Sequence, residues 1–250
     1  MIIDTHCHLS KKDYNNLDEV IKNIDGIIII SGCDDETNRE VIEIVNKYET
    51  VYGTLGIHPE EIDKLTDNSF EFIERNLNNP KIVAIGEIGL DYYWNKENKQ
   101  EQQKVFRKQL EIAKNYNLPV VVHSRDAIED TYNILKDYKL KGDIHCFGSS
   151  LEMANKFIKL GYKIGIGGVL TFKNSLKLKE VVKNISLDSI LLETDSPYLS
   201  PEPFRGKKNE PKNVEYVAKK IAELKNISFE EVVDITTSNA KSLFDLEIDM

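Results

Sequence analysis

The sequence predicts a (β/α)8 TIM barrel formed as one domain across residues 1–250, with extra helices at its C-terminus. Three observations predict it. Eight short apolar runs rich in isoleucine and valine recur along the chain, helix-spaced apolar stripes lie between them, and all five histidines fall at or near the C-terminal ends of runs. A length of 250 residues suits such a barrel as a single unit, and no glycine/serine linker, low-complexity tract or repeat divides it. An open doubly wound sheet is the competing architecture.

The first run, IIDTHCHL at 2–9, ends with His6 and His8 two residues apart. In extended chain both imidazoles face one way, with Cys7 turned into the packing. GIIIISG (26–32) follows, then a stripe of Val41, Ile42, Val45 and Tyr48 that marks a core-facing helix. VYGTLGIHP (51–59) carries His58, and KIVAIGEIGLD (81–91) carries Glu87. Val105, Phe106, Leu110 and Ala113 form the next stripe, ahead of PVVVHSRD (119–126) with His123. DIHCFG (143–148) holds His145, and YKIGIGGVL (162–170) and ILLETDSPYL (190–199), with Asp195, complete the eight. Near-continuous apolar runs of this kind suit strands buried on both faces of a parallel sheet. Two closing helices are expected at 211–225 and 229–244, the second opened by Ser228 with Glu231 three residues on, a capping-box pattern.

Composition narrows the function. With 33 basic and 42 acidic residues the net charge is −9, which argues against coating a nucleic-acid duplex or an anionic membrane. No run approaches the roughly 18 to 20 apolar residues of a membrane span, and the chain opens on a strand where a signal peptide would stand, so a cytoplasmic protein is expected. The three cysteines, Cys7, Cys33 and Cys146, are odd in number and lack CxxC spacing, and are expected to be reduced, mostly buried thiols.

In a barrel, the strand ends bearing His6, His8, His58, His123, His145, Glu87 and Asp195 converge on one mouth. Any one of these residues alone reads more simply as a hydrogen-bonded structural group or a turn residue. Together they are costly to bury unless a cation compensates. Four of these five imidazoles with the two carboxylates suit zinc or manganese, and magnesium if waters complete the shell. Six donors exceed what one tetrahedral ion with an open position uses, whereas two ions sharing a carboxylate would use them all. Hydrolysis of a phosphate or acyl bond is the chemistry such a pair supports.

DTHCHL at 4–9, GIHPE at 56–60, GEIGLDYY at 86–93, VHSRDA at 122–127, IHCFGSS at 144–150, ETDSPYL at 193–199 and RGKKNEP at 205–211 resemble, in order, the signatures of the TatD family of metal-dependent hydrolases, within the amidohydrolase-like barrels. The resemblance covers nearly the whole chain. It implies a deoxyribonuclease using two divalent ions, and the acidic net charge, which fits an enzyme that grips a strand end better than one that coats a duplex, favours an exonuclease on single-stranded DNA or strand ends. By that likeness His6, His8 and Asp195 hold one ion, His123 and His145 the other, and Glu87 bridges them. Asp195 is also the candidate catalytic base, and a monomer is the expected state. Where many related barrels bridge their ions with a modified lysine, Glu87 stands here, which favours TatD-type chemistry over cyclic-amide hydrolysis.

Substrate contacts are expected from Arg125, Arg205 and His58, since arginine binds phosphate oxygens bidentately and His58 is left over once six ligands are counted; a role orienting the ligands is the other reading of His58. Lys207, Lys208 and Lys212 read better as a solvated loop. Tyr92, Tyr93 and Trp94 offer rings on which bases stack, although packing against the rim is the expectation for at least two of them. Two other functions stay open: a deacylase of D-aminoacyl-tRNA or another ester or amide hydrolase, and a non-enzymatic partner in DNA repair.

Overall fold

The computed structural model describes residues 1–66 and 68–247. Its eight strands are β1 (Ile2–Cys7), β2 (Gly26–Ser31), β3 (Val51–Leu55), β4 (Ile82–Asp91), β5 (Val120–Arg125), β6 (Gly142–Ile144), β7 (Tyr162–Ile166) and β8 (Ile190–Leu192). They form one sheet in sequence order, every neighbouring pair parallel. The helices are α1 (Leu17–Lys22), α2 (Asp35–Lys47), α3 (Ser69–Asn76), α4 (Lys99–Tyr116), α5 (Ile128–Leu135), α6 (Leu151–Lys159), α7 (Leu176–Asn184), α8 (Val214–Lys225) and α9 (Phe229–Phe244). The eight expected strands and both closing helices are present, with Pro211–Asn213 forming a short 3-10 turn ahead of α8. Ser228 accepts from the Glu231 amide at 3.0 Å, the expected serine arm of the cap.

The sheet curls into a nearly closed barrel. No strand ladder joins β8 to β1 among the described residues; side chains and strand ends stitch the seam instead. Thr5 Oγ1 donates to the Leu192 carbonyl at 3.0 Å, and the Asp4 carboxylate accepts from the Thr194 amide and hydroxyl at 2.9 and 2.6 Å. Beyond the strand ends, the Asp195 amide donates to the His6 carbonyl at 2.9 Å. Asp4 is fully buried, and burial drives its carboxyl well above the usual range despite these donors. This seam ties the first strand directly to the segment bearing Asp195.

Alternation along the strands splits the core into two layers. Ile2, Ile28, Ile30, Val120, Val122, Ile190 and Leu192 pack outward with the helices, whereas Ile3, Ile27, Ile29, Val83, Val121 and Leu191 form a separate inner cluster. The C-terminal end of α9 joins that inner cluster through Ala240, Leu243 and Phe244, so the helix caps the bottom of the barrel. Phe244→Ala is therefore expected to cost about 3–5 kcal/mol of stability, measured by urea unfolding, because a buried aromatic lost from a close-packed interior leaves a cavity. Among the described residues no helix is long and apolar enough to cross a membrane.

Candidate metal centre

One residue of slippage in β1 aims the first two donors. Asp4 pairs with Ile28 but Cys7 with Ile30, so the strand carries an extra residue between them. The bulge shifts the alternation: Cys7 joins the outer layer, while His6, and His8 beyond the strand end, turn inward. In β4 and β5 the register sets Gly89 opposite His123. A Cβ at Gly89, whose φ is +145°, would lie 2.0 Å from the His123 carbonyl oxygen, so glycine is required for the two strands to approach there.

The six expected ligands come together at the C-terminal mouth. Glu87 is 3% exposed and stands at the centre, its two oxygens facing different imidazoles. Oε2 lies 3.3 Å from His6 Nε2 and 3.4 Å from His8 Nε2. Oε1 lies 3.1 Å from His123 Nδ1, 3.5 Å from His58 Nε2 and 3.8 Å from His145 Nε2. Asp195 Oδ1 is 3.7 Å from both His6 and His145 and 3.5 Å from His8. His58, expected at the substrate, lies with Glu87 and His123 in a cluster whose donor atoms are close enough to share one ion.

Partners on the far side of each ring decide which nitrogen faces inward. His8 Nδ1 lies 3.1 Å from the Ser31 carbonyl, and His6 Nδ1 3.1 Å from the Ser31 hydroxyl. His123 Nε2 lies 2.9 Å from Asp91 Oδ2, and His145 Nδ1 lies 3.0 Å from Glu193 Oε2. A neutral imidazole that donates from one nitrogen presents a lone pair on the other. In that state the lone pairs of His6 and His8 Nε2, 3.2 Å apart, point at the same space as the Glu87 carboxylate. Divalent cations fit this donor set: they convert mutual repulsion into ligation, and the carboxylates behind the rings are the usual orienting partners of metal-bound histidines.

The electrostatics agree with anionic carboxylates at the centre. Burial alone would raise Glu87, but the imidazoles of His58, His6 and His145 and a hydrogen bond with His123 outweigh it and hold the carboxyl well below its ordinary range. Asp195 is lowered on the same balance, burial opposed by His8, His145 and His6. Burial would lower His123, yet its bonds to Asp91 and Glu87 lift it to about 9.

Asp91, Glu193 and Ser31 were not among the expected site residues. Glu193 is fully buried, also accepts from the Cys146 amide at 2.7 Å, and is held above the ordinary carboxylate range, at about 8, chiefly by burial. Asp91→Asn is expected to weaken divalent-ion affinity by roughly ten- to hundredfold, read by calorimetric titration, because the amide no longer secures the His123 ring as an anion does.

A cavity of about 1060 Å³ opens above the centre. Arg125 and Trp94 line it, while Arg205 is not among its lining residues; Arg205 is exposed with its guanidinium 4.4 Å above the Phe172 ring. Only Tyr92 of the three aromatics packs into the rim, its hydroxyl 2.9 Å from Asp130; Tyr93 and Trp94 are 50% and 64% exposed. That corrects the expectation that at least two would pack: the chain turns outward immediately after β4. The cysteines need a similar correction. Cys7 is buried, but Cys33 and Cys146 are half-buried and line the cavity, because each follows a strand end at the open mouth.

Comparison with known proteins gives the family. Residues 3–245 match the family model described as TatD related DNase. The chain is 44% identical to the uncharacterized metal-dependent hydrolase YabD of Bacillus subtilis over 253 residues, covering 98% of this chain and 99% of that protein. It is 35% identical over 260 residues to the uncharacterized metal-dependent hydrolase YcfH of Escherichia coli, covering 98% and 96%. Its fold superposes on the crystal structure of YjjV, a TatD homologue from Escherichia coli, with a TM-score of 0.91 at 33% identity over 98% of each chain. A TatD family hydrolase from Entamoeba histolytica gives 0.85 at 26% identity over 97% of each chain. The chain belongs to the TatD family of metal-dependent hydrolases.

Proposed function

We propose that this protein is a deoxyribonuclease that hydrolyses phosphodiester bonds at single-stranded DNA or strand ends, using two divalent ions. The observation that carries the reading is Glu87, whose two oxygens face separate imidazole sets. His6, His8 and Asp195 would hold one ion, His123 and His145 the other, and Glu87 would stand between them. Bound divalent ions would supply Lewis acidity, polarising a phosphoryl oxygen and making water acidic enough to lose a proton near neutral pH.

The chain's own groups set the rest. Asp195, ionised and at the edge of the cavity, accepts the proton of the attacking water. Asp91, Glu193 and Ser31 keep the imidazoles aimed, so little reorganisation is needed as charge develops. Arg125, on the cavity wall, donates to phosphate oxygens. His58 Nε2 reaches the same Glu87 oxygen as His123, and it serves either as a further ligand or as a donor to the phosphate.

The acidic side of the cavity favours a second reading. Asp13, Asp34, Glu40, Glu60 and Glu61 line it after the first three strands. Such a wall accommodates a substrate carrying an ammonium group, as an aminoacyl ester does, better than several phosphates. Parallel turnover assays with labelled single-stranded DNA and a D-aminoacyl-tRNA separate the two. Phosphodiester cleavage that exceeds deacylation supports the nuclease. Deacylation alone overturns it.

A further inference from the structure

The mouth of the cavity is divided by sector, and the barrel's strand order sets the division. The loops after β1, β2 and β3 contribute the acidic wall, where Lys12 is engaged by Glu36 at 2.8 Å and Lys64 by Glu61. The next sector, after β4 and β5, differs in kind. There the Arg125 guanidinium lies 3.9 Å above the Tyr93 ring and 5.5 Å from that of Trp94, and the two rings meet edge to face at 4.8 Å. Among the described residues Arg125 makes no ion pair, so its positive charge rests on rings and not on a carboxylate. Of the acids in this sector, Asp126 lines the cavity, and Asp130 accepts from the Tyr92 hydroxyl at 2.9 Å. Both rings are at least half exposed and adjoin each other, so together they present aromatic surface to solvent beside the guanidinium.

Resting on the nuclease reading, we propose that the Arg125–Tyr93–Trp94 platform determines specificity: the strand leaves the cavity across it, with the base beside the scissile phosphate stacked on Trp94. Repulsion from the acidic wall closes the opposite exit to a polyanion. An aromatic ring edged by a guanidinium gives an unpaired base a face to stack on and the adjoining phosphate a bidentate donor. Paired bases, already stacked, gain nothing from such a surface, so the platform selects unpaired nucleotides.

The test uses the metal-loaded full chain and single-stranded oligonucleotides that carry either a normal base or a tetrahydrofuran abasic residue on one side or the other of the scissile linkage. Wild type is expected to favour the base-bearing substrate by about ten- to hundredfold in KM for one of the two positions, the range of a single base on an aromatic ring. Trp94→Ala should bring that ratio close to one, and Trp94→Phe should restore most of it. The exposed position of Trp94 leaves the core undisturbed by either change. Equal use of both substrates by wild type, or a ratio that survives Trp94→Ala, overturns the platform while leaving the nuclease reading intact. If wild type cleaves none of the oligonucleotides, the nuclease reading fails and takes the platform with it.

Discussion

Glu87→Gln is expected to lower turnover on the order of 10³-fold or more, beyond the ten- to hundredfold typical when a group that only orients a metal ligand is lost. Glutamine preserves the volume and burial of the side chain but removes the charge that faces His6 and His8 on one side and His123, His58 and His145 on the other. One substitution therefore weakens both proposed ion positions. Metal content measured on the purified variant should fall along with kcat, while urea unfolding shows a cooperative transition. A variant that keeps both ions and wild-type turnover would show that Glu87 is only a hydrogen-bonded internal acid.

Asp195→Asn is expected to cut kcat by about 10²–10⁴-fold, the usual contribution of a positioned general base, with KM for DNA little changed. The aspartate stands 3.5–3.7 Å from three imidazoles and on the cavity wall, so it touches both the ion-binding set and the space a substrate enters. Its effect on ion content separates from that of Glu87 in extent, since Asp195 is a proposed ligand of one ion and Glu87 faces both proposed positions. A large rise in KM with kcat preserved would place Asp195 in substrate binding instead of proton transfer.

The barrel was legible because most strands are near-continuous apolar runs, and most of the donors stand at or near the ends of those runs. Short strands such as β6 and β8, three residues each, follow from the same cause: the polar site residues His145 and Asp195 lie just past their ends. The carboxylates behind the histidines were harder to find. Asp91 closes a strand and Glu193 sits two residues before Asp195, both looking like ordinary strand-end polar groups. Period-two spacing from Asp195 was the one signal for Glu193; nothing local marked Asp91 as the partner of a histidine 32 residues away. Sequence pattern also does not set depth at the mouth. Cys33 and Cys146 followed buried strands yet face the cavity, and Tyr93 and Trp94 followed buried Tyr92 yet stand in solvent. In β1 the bulge kept His6 and His8 on one side but reversed their side relative to Ile3, an inward turn that simple alternation from Ile3 would not produce.

The most direct measurement strips the protein with chelator, titrates manganese back, and follows ion stoichiometry together with hydrolysis of single-stranded DNA. Wild type should be inactive when stripped and should recover as about two ions bind per chain, and a His6→Ala, His123→Ala double variant should recover nothing at any manganese concentration. Full hydrolysis by the stripped protein, or by that double variant, would contradict catalysis at this centre.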